Sequence, residues 1–123
     1  MPLKVALTDD DESVSRSITR LLRLSGMVPT AFRSAEAFLE FPAPSTFDCL
    51  ILDIYIEGGM SGLELKARLN AEGIRTPVIF FSAHDDAETR AEVERVGCYA
   101  FLRKGDGIKL LLAKLQELEG AAR

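Results

Sequence analysis

The chain alternates between short apolar, β-branched runs and longer stretches in which apolar residues recur at helical spacing, and five such pairs fill the sequence. This alternation is typical of βαβ units on a parallel sheet. The runs "CLIL" and "VIFF" are apolar at every position, which indicates strands buried on both faces. We therefore predict an α/β fold: a doubly wound, five-stranded parallel sheet with five helices, in a single domain over residues 1–123.

The boundaries of these elements follow from the apolar runs and from capping residues. The predicted strands cover residues 3–8, 27–32, 49–53, 78–82 and 99–103. The first helix carries a stripe of apolar residues and ends at Gly26. Later helices are predicted to begin at Ser34, at Ser61 with Glu64, and at Asp85 with Glu88, and two of them to end at Gly73 and Gly97. The last helix is predicted to run from about residue 106 to about residue 119.

The composition narrows the classes of function. Hydrophobic residues make up 47% and charged residues 28% of the chain, which is typical of a globular protein. A net charge of -4 argues against direct nucleic-acid binding, which requires clustered Lys and Arg. The apolar runs are too short to span a bilayer and no signal-peptide core precedes the first acids, so we expect a cytoplasmic protein. Cys49 and Cys98 lie in apolar surroundings without CxxC spacing, and we interpret both as inert core thiols.

Polar residues follow four of the predicted strands, at the end where each strand stops. Asp9 and Asp10 come after the first strand, and Asp53 ends the third. Ser82 ends the fourth strand, and Lys104 follows the fifth. The carboxyl ends of parallel strands share one edge of the sheet, and ligands bind there where the strand order reverses. We therefore predict that these side chains form one site.

The charges of these groups indicate the chemistry of such a site. Three carboxylates at close range raise one another's pKa unless a cation neutralises them, and oxygen donors without His or Cys favour Mg²⁺. A lysine ammonium and a serine hydroxyl opposite the ion would complete a cradle for phosphoryl oxygens. We therefore predict Mg²⁺ as the cofactor and Asp53 as a nucleophile, with Lys104 stabilising charge on a phosphoryl group in transfer.

With these residues assigned, the chain resembles the receiver domain of two-component response regulators, which has a flavodoxin-like fold, over essentially its whole length. The motifs that carry the resemblance are "TDD", "LILD", "FFSAH" and "FLRK". The resemblance implies that Asp9 and Asp10 are metal ligands, that Asp53 is the phosphoacceptor, and that Ser82 and Lys104 are catalytic. The segment "GMSGLEL" at residues 59–65 is similar to that of family members resembling nitrogen-fixation regulators.

The resemblance implies two further roles and reveals two departures from the family pattern. The family's switch aromatic falls on Phe101, and the carbonyl of Tyr55 falls at the position of a third metal ligand. Four residues after the acceptor, where the family usually has proline, this chain has Glu57, in a loop that is one residue longer. Lys104 is followed by Gly105 instead of the family's cis proline. A cis bond before glycine would cost roughly 2.5–4 kcal/mol, so we predict a trans bond.

Two groups of residues near this site have a structural as well as a functional interpretation. Asp11 or Glu12 is predicted to cap the first helix. His84 lies just beyond the fourth strand, where family members vary. It is either a solvated loop residue or, together with Tyr55, a determinant of how fast the phosphorylated acceptor is hydrolysed.

The predicted function is a phosphorylation switch. Asp53 would accept a phosphoryl group from the phosphohistidine of a sensor histidine kinase or a phosphotransfer protein, and would lose it by self-catalysed hydrolysis, with no separate small-molecule turnover. Ser82 would then move toward the phosphoryl oxygens and Phe101 would rotate inward, which repacks the surface of the fourth helix, fifth strand and fifth helix. We expect the output to be binding to another protein, to a copy of this chain, or to an effector domain outside this sequence.

Three other functions are alternatives to this one. The main one is a receiver-like scaffold or interaction module that works without phosphorylation. Phosphatases of the haloacid dehalogenase type usually have a second Asp two residues after the nucleophile, where this chain has Tyr55. Flavodoxin relatives bind the FMN phosphate after the first strand, where Asp9 and Asp10 would repel it.

Overall fold

The computed structural model describes residues 2–42 and 46–121. Within these ranges, five strands form one sheet in the order β2-β1-β3-β4-β5, and every neighbouring pair is parallel. The strands are β1 (Lys4–Thr8), β2 (Val28–Phe32), β3 (Cys49–Leu52), β4 (Val78–Ser82) and β5 (Ala100–Arg103). The predicted fold class is confirmed, and each strand lies within one residue of its predicted bounds.

The α-helices of the described ranges are α1 (Glu12–Leu24), α2 (Ala35–Leu39), α3 (Gly62–Ala71), α4 (Ala87–Val96) and α5 (Ile108–Ala121). Local capping determines where they begin. Asp11 accepts hydrogen bonds from two backbone N–H groups at the start of α1, and Ser34 accepts one at the start of α2. Ser61 and Glu64 form the predicted capping box of α3. None of these helices combines the length and apolar character needed to cross a bilayer.

Side chains along each strand alternate between the two faces of the sheet, and helices cover both faces. One core cluster packs strand residues against α1 and α5, through Ile18, Leu22, Leu111 and Leu115. The other packs the opposite face against α2, α3 and α4, through Phe38, Leu65, Leu69 and Val93. Because the helices cover the faces, the carboxyl ends of the strands are left at one rim of the molecule, where a doubly wound sheet binds ligands.

The two edges of the sheet are β2 and β5. β2 includes Pro29, which pairs with Val5 of β1 in the parallel register. Proline has no backbone N–H to donate, so it is found in edge strands and not in the centre of a sheet.

The beginning of α4 differs from the sequence prediction. Asp86 is the N-cap, and its side chain accepts a hydrogen bond from the backbone N–H of Thr89 at 2.8 Å. The predicted cap, Asp85, instead pairs with Arg90 and Arg103 at 3.2 and 3.3 Å. Both aspartates fit the capping pattern in the sequence. Asp85 is engaged instead in ion pairs with Arg90 of α4 and with Arg103 at the end of β5.

Two further differences concern the C-terminal third of the chain. α5 begins at Ile108, because Lys104–Asp106 forms a separate short 3-10 helix ahead of it. Cys49 is buried as predicted, but Cys98 is exposed. Cys98 lies in the connection between α4 and β5, where its thiol is not covered by the core.

Candidate functional site at the carboxyl edge of the sheet

The acidic residues after β1 and β3 meet where the strand order reverses. β1 and β3 are neighbours in the sheet, and Asp9 and Asp53 come directly after them. Carboxylate oxygens of Asp9, Asp10 and Asp53 lie within 4.8 Å of one another. Asp9 and Asp53 are only 3% and 7% exposed, while Asp10 is partly exposed. The structure therefore brings three carboxylates from two strand ends into one cluster.

Lys104 supplies positive charge to this cluster. Its Nζ lies 2.8 Å from Oδ2 of Asp9 and 2.8 Å from Oδ2 of Asp53. The residue begins the 3-10 helix after β5, and its peptide bond to Gly105 is trans, as predicted. A single ammonium group thus bridges carboxylates that belong to two different strands.

Burial and charge act against each other within the cluster. Burial raises the pKa of the Asp9 carboxyl, and this effect outweighs the hydrogen bond from Lys104, which lowers it. For Lys104, burial lowers the pKa, but the hydrogen bonds and charges of Asp53 and Asp9 outweigh burial and leave the pKa raised. Lys104 is therefore held in its charged form, while burial disfavours the ionised form of Asp9.

Successive acidic residues after β1 accept hydrogen bonds from different parts of the molecule. Oδ1 of Asp9 accepts the backbone N–H of Asp11 at 2.9 Å, which fixes the turn into α1. Asp11 caps α1. Oδ2 of Asp10 accepts the backbone N–H of Glu57 at 3.1 Å, across from the loop that follows β3. These contacts explain why adjacent like charges are tolerated here: each carboxylate has a different hydrogen-bond donor.

The remaining residues singled out from the sequence surround the cluster. The buried hydroxyl of Ser82 accepts the backbone N–H of His84 at 3.1 Å. The rings of His84 and Tyr55 lie 4.5 Å apart in an edge-to-face arrangement, and both residues are exposed. The Tyr55 hydroxyl lies 3.4 Å from Oγ1 of Thr89 on α4. Phe101 is partly buried and packs against the core on the α2, α3 and α4 side.

The donor set of the cluster fits a hard divalent cation. Its three ligand atoms are carboxylate oxygens, with no imidazole or thiolate among them. Oxygen ligands of this kind are those that Mg²⁺ prefers in proteins. Burial raises the pKa of Asp9 despite the hydrogen bond from Lys104, and a bound cation would favour the ionised carboxylate.

Two contacts near the site were not foreseen from the sequence. Glu36 on α2 accepts the backbone N–H of Met60 at 2.7 Å, and Glu57 donates to Asp10. Neither contact has a sequence signal, because both join residues that lie far apart in the chain through backbone groups. The position of Thr89 can be read from the sequence more easily, because it lies in the first turn of α4, three residues after the N-cap Asp86.

The sequence from β1 to α5 matches a known family. The family model for the response regulator receiver domain matches residues 5–116. The chain belongs to this family. Among curated relatives, the receiver chain is similar to the transcriptional regulatory protein FixJ of Azorhizobium caulinodans, with 38% identity over 102 residues. The transcriptional regulatory protein TdiR of Thauera aromatica is 36% identical over 100 residues.

These relatives are longer than the receiver chain. The match covers 83% of this chain but 48% of FixJ, and 81% of this chain but 44% of TdiR. The chain therefore spans about half the length of these curated relatives. Among solved structures, the receiver domain of the Francisella response regulator 1452 matches with a TM-score of 0.89 and 25% identity, over 98% of this chain and 99% of that one.

Proposed function

We propose that this receiver domain is a phosphorylation switch in which Asp53 accepts a phosphoryl group from a phosphohistidine. The observation that carries the proposal is the position of Lys104, whose ammonium lies 2.8 Å from carboxylate oxygens of both Asp9 and Asp53. Because Asp10 completes the carboxylate cluster, the acceptor oxygen, a cation site and a fixed positive charge lie together at the strand-order reversal.

The transfer is a displacement at phosphorus. A carboxylate oxygen of Asp53 attacks the phosphorus atom, an O–P bond forms, and the P–N bond to the histidine breaks with its electron pair returning to the imidazole nitrogen. Lys104 lies beside the attacking carboxylate, where its ammonium stabilises negative charge on the phosphoryl oxygens. Ser82, at the end of the neighbouring strand β4, offers a hydroxyl to those oxygens.

The carboxylates of Asp9, Asp10 and Asp53, with the carbonyl of Tyr55, are the proposed ligands of Mg²⁺. When bound, Mg²⁺ would neutralise negative charge on the phosphoryl oxygens and help orient the phosphoryl group toward the acceptor. The oxygen-only donor set of the carboxylate cluster supports this assignment.

Phosphorylation is proposed to act on the side of the molecule formed by α4, β5 and α5. Ser82 would move toward the phosphoryl oxygens, and Phe101 would turn further into the core, which changes the surface offered to a partner. The partly buried position of Phe101 on an edge strand supports this, because its ring is not locked among neighbours on all sides. The proposed partners are a histidine kinase or phosphotransfer protein as donor, in the cytoplasm, and a protein domain or second copy as target.

Return to the resting state is proposed to occur by hydrolysis of the acyl phosphate. Tyr55 and His84 contact each other at the rim of the site, where water must approach. Replacing His84 with Ala is expected to change the hydrolysis rate by opening that approach. An unchanged rate would remove His84 from the mechanism and leave it a solvated loop residue.

The direct test is intact-mass measurement after incubation with a small-molecule phosphodonor, with and without Mg²⁺. We expect a gain of one phosphoryl group that requires Mg²⁺ and is lost in Asp53→Asn. Asp48→Asn is the matched control, because Asp48 is an exposed carboxylate at the opposite end of the same strand. If neither wild type nor the control gains mass, the phosphorylation proposal fails and a scaffold role is favoured.

A further inference from the structure

The loop of residues 54–61, between β3 and α3, is held from two sides by backbone hydrogen bonds to carboxylates. The N–H of Glu57 donates to Oδ2 of Asp10 at 3.1 Å, on the side of the acidic cluster. The N–H of Met60 donates to Oε2 of Glu36 at 2.7 Å, on the side of α2. The loop therefore links α2 to one of the proposed metal ligands.

The Glu36 carboxylate makes a short hydrogen bond and lies close to the loop backbone. A hydrogen bond from a backbone N–H to an ionised carboxylate is shorter and stronger than a neutral one, and the bond from Met60 lowers the pKa of Glu36. The same carboxylate packs against Gly59, where a Cβ would lie 2.6 Å from its Oε2. Gly59 does not have a positive φ, so its lack of a side chain serves this close approach and not a backbone conformation.

The contact made by Glu57 depends on a departure from the family pattern. The family usually has proline at this position, and proline has no N–H. The hydrogen bond from Glu57 to Asp10 is therefore available to this chain and not to a chain with proline there. Where proline would stiffen the loop by fixing φ, this chain restrains the loop by hydrogen bonds at Glu57 and Met60.

We propose that Glu36 is a positioning residue which, by holding the loop at Met60, keeps the Glu57 N–H on Asp10 and so sets the affinity of the acidic cluster for Mg²⁺. This inference rests on the proposed Mg²⁺-dependent function. Outer-shell partners that orient a ligand change metal affinity by about 10- to 100-fold when removed. Because Glu36 is exposed and acts through a loop, we expect a smaller effect than this, of about 3- to 10-fold.

The test compares three substitutions in the 123-residue chain by calorimetric titration with Mg²⁺. Glu36→Ala is expected to weaken Mg²⁺ binding by about 3- to 10-fold, because the loop loses its anchor on α2. Glu36→Gln keeps an oxygen acceptor for the Met60 N–H and is expected to restore most of the affinity. Glu40→Ala is the matched control, since Glu40 is an exposed glutamate at the other end of the same helix.

A second variant breaks the contact without changing Glu36. Gly59→Ala places a methyl group against the Glu36 carboxylate and displaces it from the Met60 N–H. We expect it to weaken Mg²⁺ binding by a similar factor in the wild type and to have no further effect in Glu36→Ala. Hydrogen exchange supplies a readout independent of the metal: the amides of Met60 and Glu57 should both exchange faster in Glu36→Ala and should not change in Glu40→Ala.

The outcomes separate this inference from the function on which it rests. If the wild type does not bind Mg²⁺, the proposed function fails. If the wild type binds Mg²⁺ and Glu36→Ala binds it equally well, the function stands and the positioning role is wrong. Additive effects of Glu36→Ala and Gly59→Ala would also overturn it, because they would show that the two residues act through different contacts.

Discussion

The strands β3 and β5 both end at the candidate site, on either side of β4, but they are packed very differently. All four residues of β3 are at most 1% exposed, whereas β5 has one buried residue, Leu102 at 7% exposed. β3 lies at the centre of the sheet with helices on both faces, and β5 lies at its edge. The end of β3 carries Asp53, and β5 carries Phe101.

This difference suggests a division between a rigid half and an adaptable half of the site. The proposed phosphoacceptor needs fixed geometry relative to the proposed cation and to Lys104, which a fully buried central strand provides. The proposed switch residue needs an alternative position of similar energy, which a partly buried side chain on an edge strand can reach at lower cost. The contrast leads to predictions that can be measured separately for each half.

The largest expected effect contrasts core truncations in the two strands. Ile51→Ala in β3 removes a fully buried side chain and should reduce the free energy of unfolding by about 2–5 kcal/mol. Phe101→Ala in β5 should cost less, about 1–2 kcal/mol, although more atoms are removed, because the ring is only partly buried. Urea unfolding of both variants measures this. Equal losses would show that β5 is as firmly packed as β3.

A second prediction tests how tightly the rigid half is packed at Gly62, the first residue of α3. A Cβ at this position would overlap the backbone carbonyl oxygen of Asp53, which cannot move without displacing the acceptor. Gly62→Ala should therefore reduce stability by about 3 kcal/mol and slow phosphorylation of Asp53.

Gly120→Ala in α5 is the control for this prediction. A Cβ there meets no atom within 4 Å, so the change should be neutral or should stabilise the helix by up to about 1 kcal/mol. Wild-type stability in Gly62→Ala would mean that the start of α3 can shift without moving the end of β3.

The third prediction concerns the stability lost by burying the ionised Asp9 carboxylate in the rigid half of the site. Burial raises the pKa of Asp9 above its ordinary value of 3.8, so the folded protein disfavours the ionised carboxyl. A carboxyl with a raised folded-state pKa lowers stability at pH values above that pKa, and the penalty disappears as the pH falls toward the unfolded-state value. Without Mg²⁺, Asp9→Asn should therefore be more stable than wild type at pH 7.

Unfolding measured over a pH series checks the sign of this effect. The difference between Asp9→Asn and wild type should shrink as the pH falls through the folded-state pKa of Asp9 toward 3.8. Mg²⁺ should reverse the order of stability, because it stabilises only the chain that binds it well. If Asp9→Asn is less stable at pH 7 without Mg²⁺, the ion pair with Lys104 outweighs the cost of burial.

The smallest expected effect compares two buried threonines. Oγ1 of Thr8, the last residue of β1, is buried and has no hydrogen-bond partner among the described residues. Oγ1 of Thr89 lies 3.4 Å from the Tyr55 hydroxyl. Thr8→Val should raise stability by about 0.5–1 kcal/mol, because it removes an unsatisfied group, while Thr89→Val should lower it by a similar amount. Thermal unfolding distinguishes the two, and a loss of stability in Thr8→Val would indicate that its hydroxyl is satisfied in solution.

Much of the fold was predictable because its signals are local. The fully apolar runs of β3 and β4 indicate central strands, and Ser34 and Ser61 cap helices through contacts with residues three positions away. The convergence of Asp9 and Asp53 followed from topology, since the ends of parallel strands share an edge. The roles of these side chains in phosphoryl transfer and Mg²⁺ binding stay predictions.

The parts that were wrong depend on tertiary contacts. Asp85 and Asp86 are equivalent as caps on sequence alone, and the choice is made by Arg103, which pairs with Asp85 from the end of β5. Cys98 was placed in the core because of its apolar neighbours in the sequence, but it lies in the connection before β5 and is exposed. The contact between Glu36 and Met60 was not foreseeable, because it joins an exposed glutamate to a backbone N–H 24 residues away in the chain.

The proline in β2 also affects how this domain behaves at high concentration. An edge strand exposes unpaired backbone groups to which a strand of another molecule can add, the first step of sheet-to-sheet aggregation. Pro29 removes a donor from β2 and interrupts that template. The opposite edge, β5, is only four residues long and ends in the charged Arg103, both of which disfavour strand addition. Neither edge of the sheet therefore offers a long, unprotected strand to other chains.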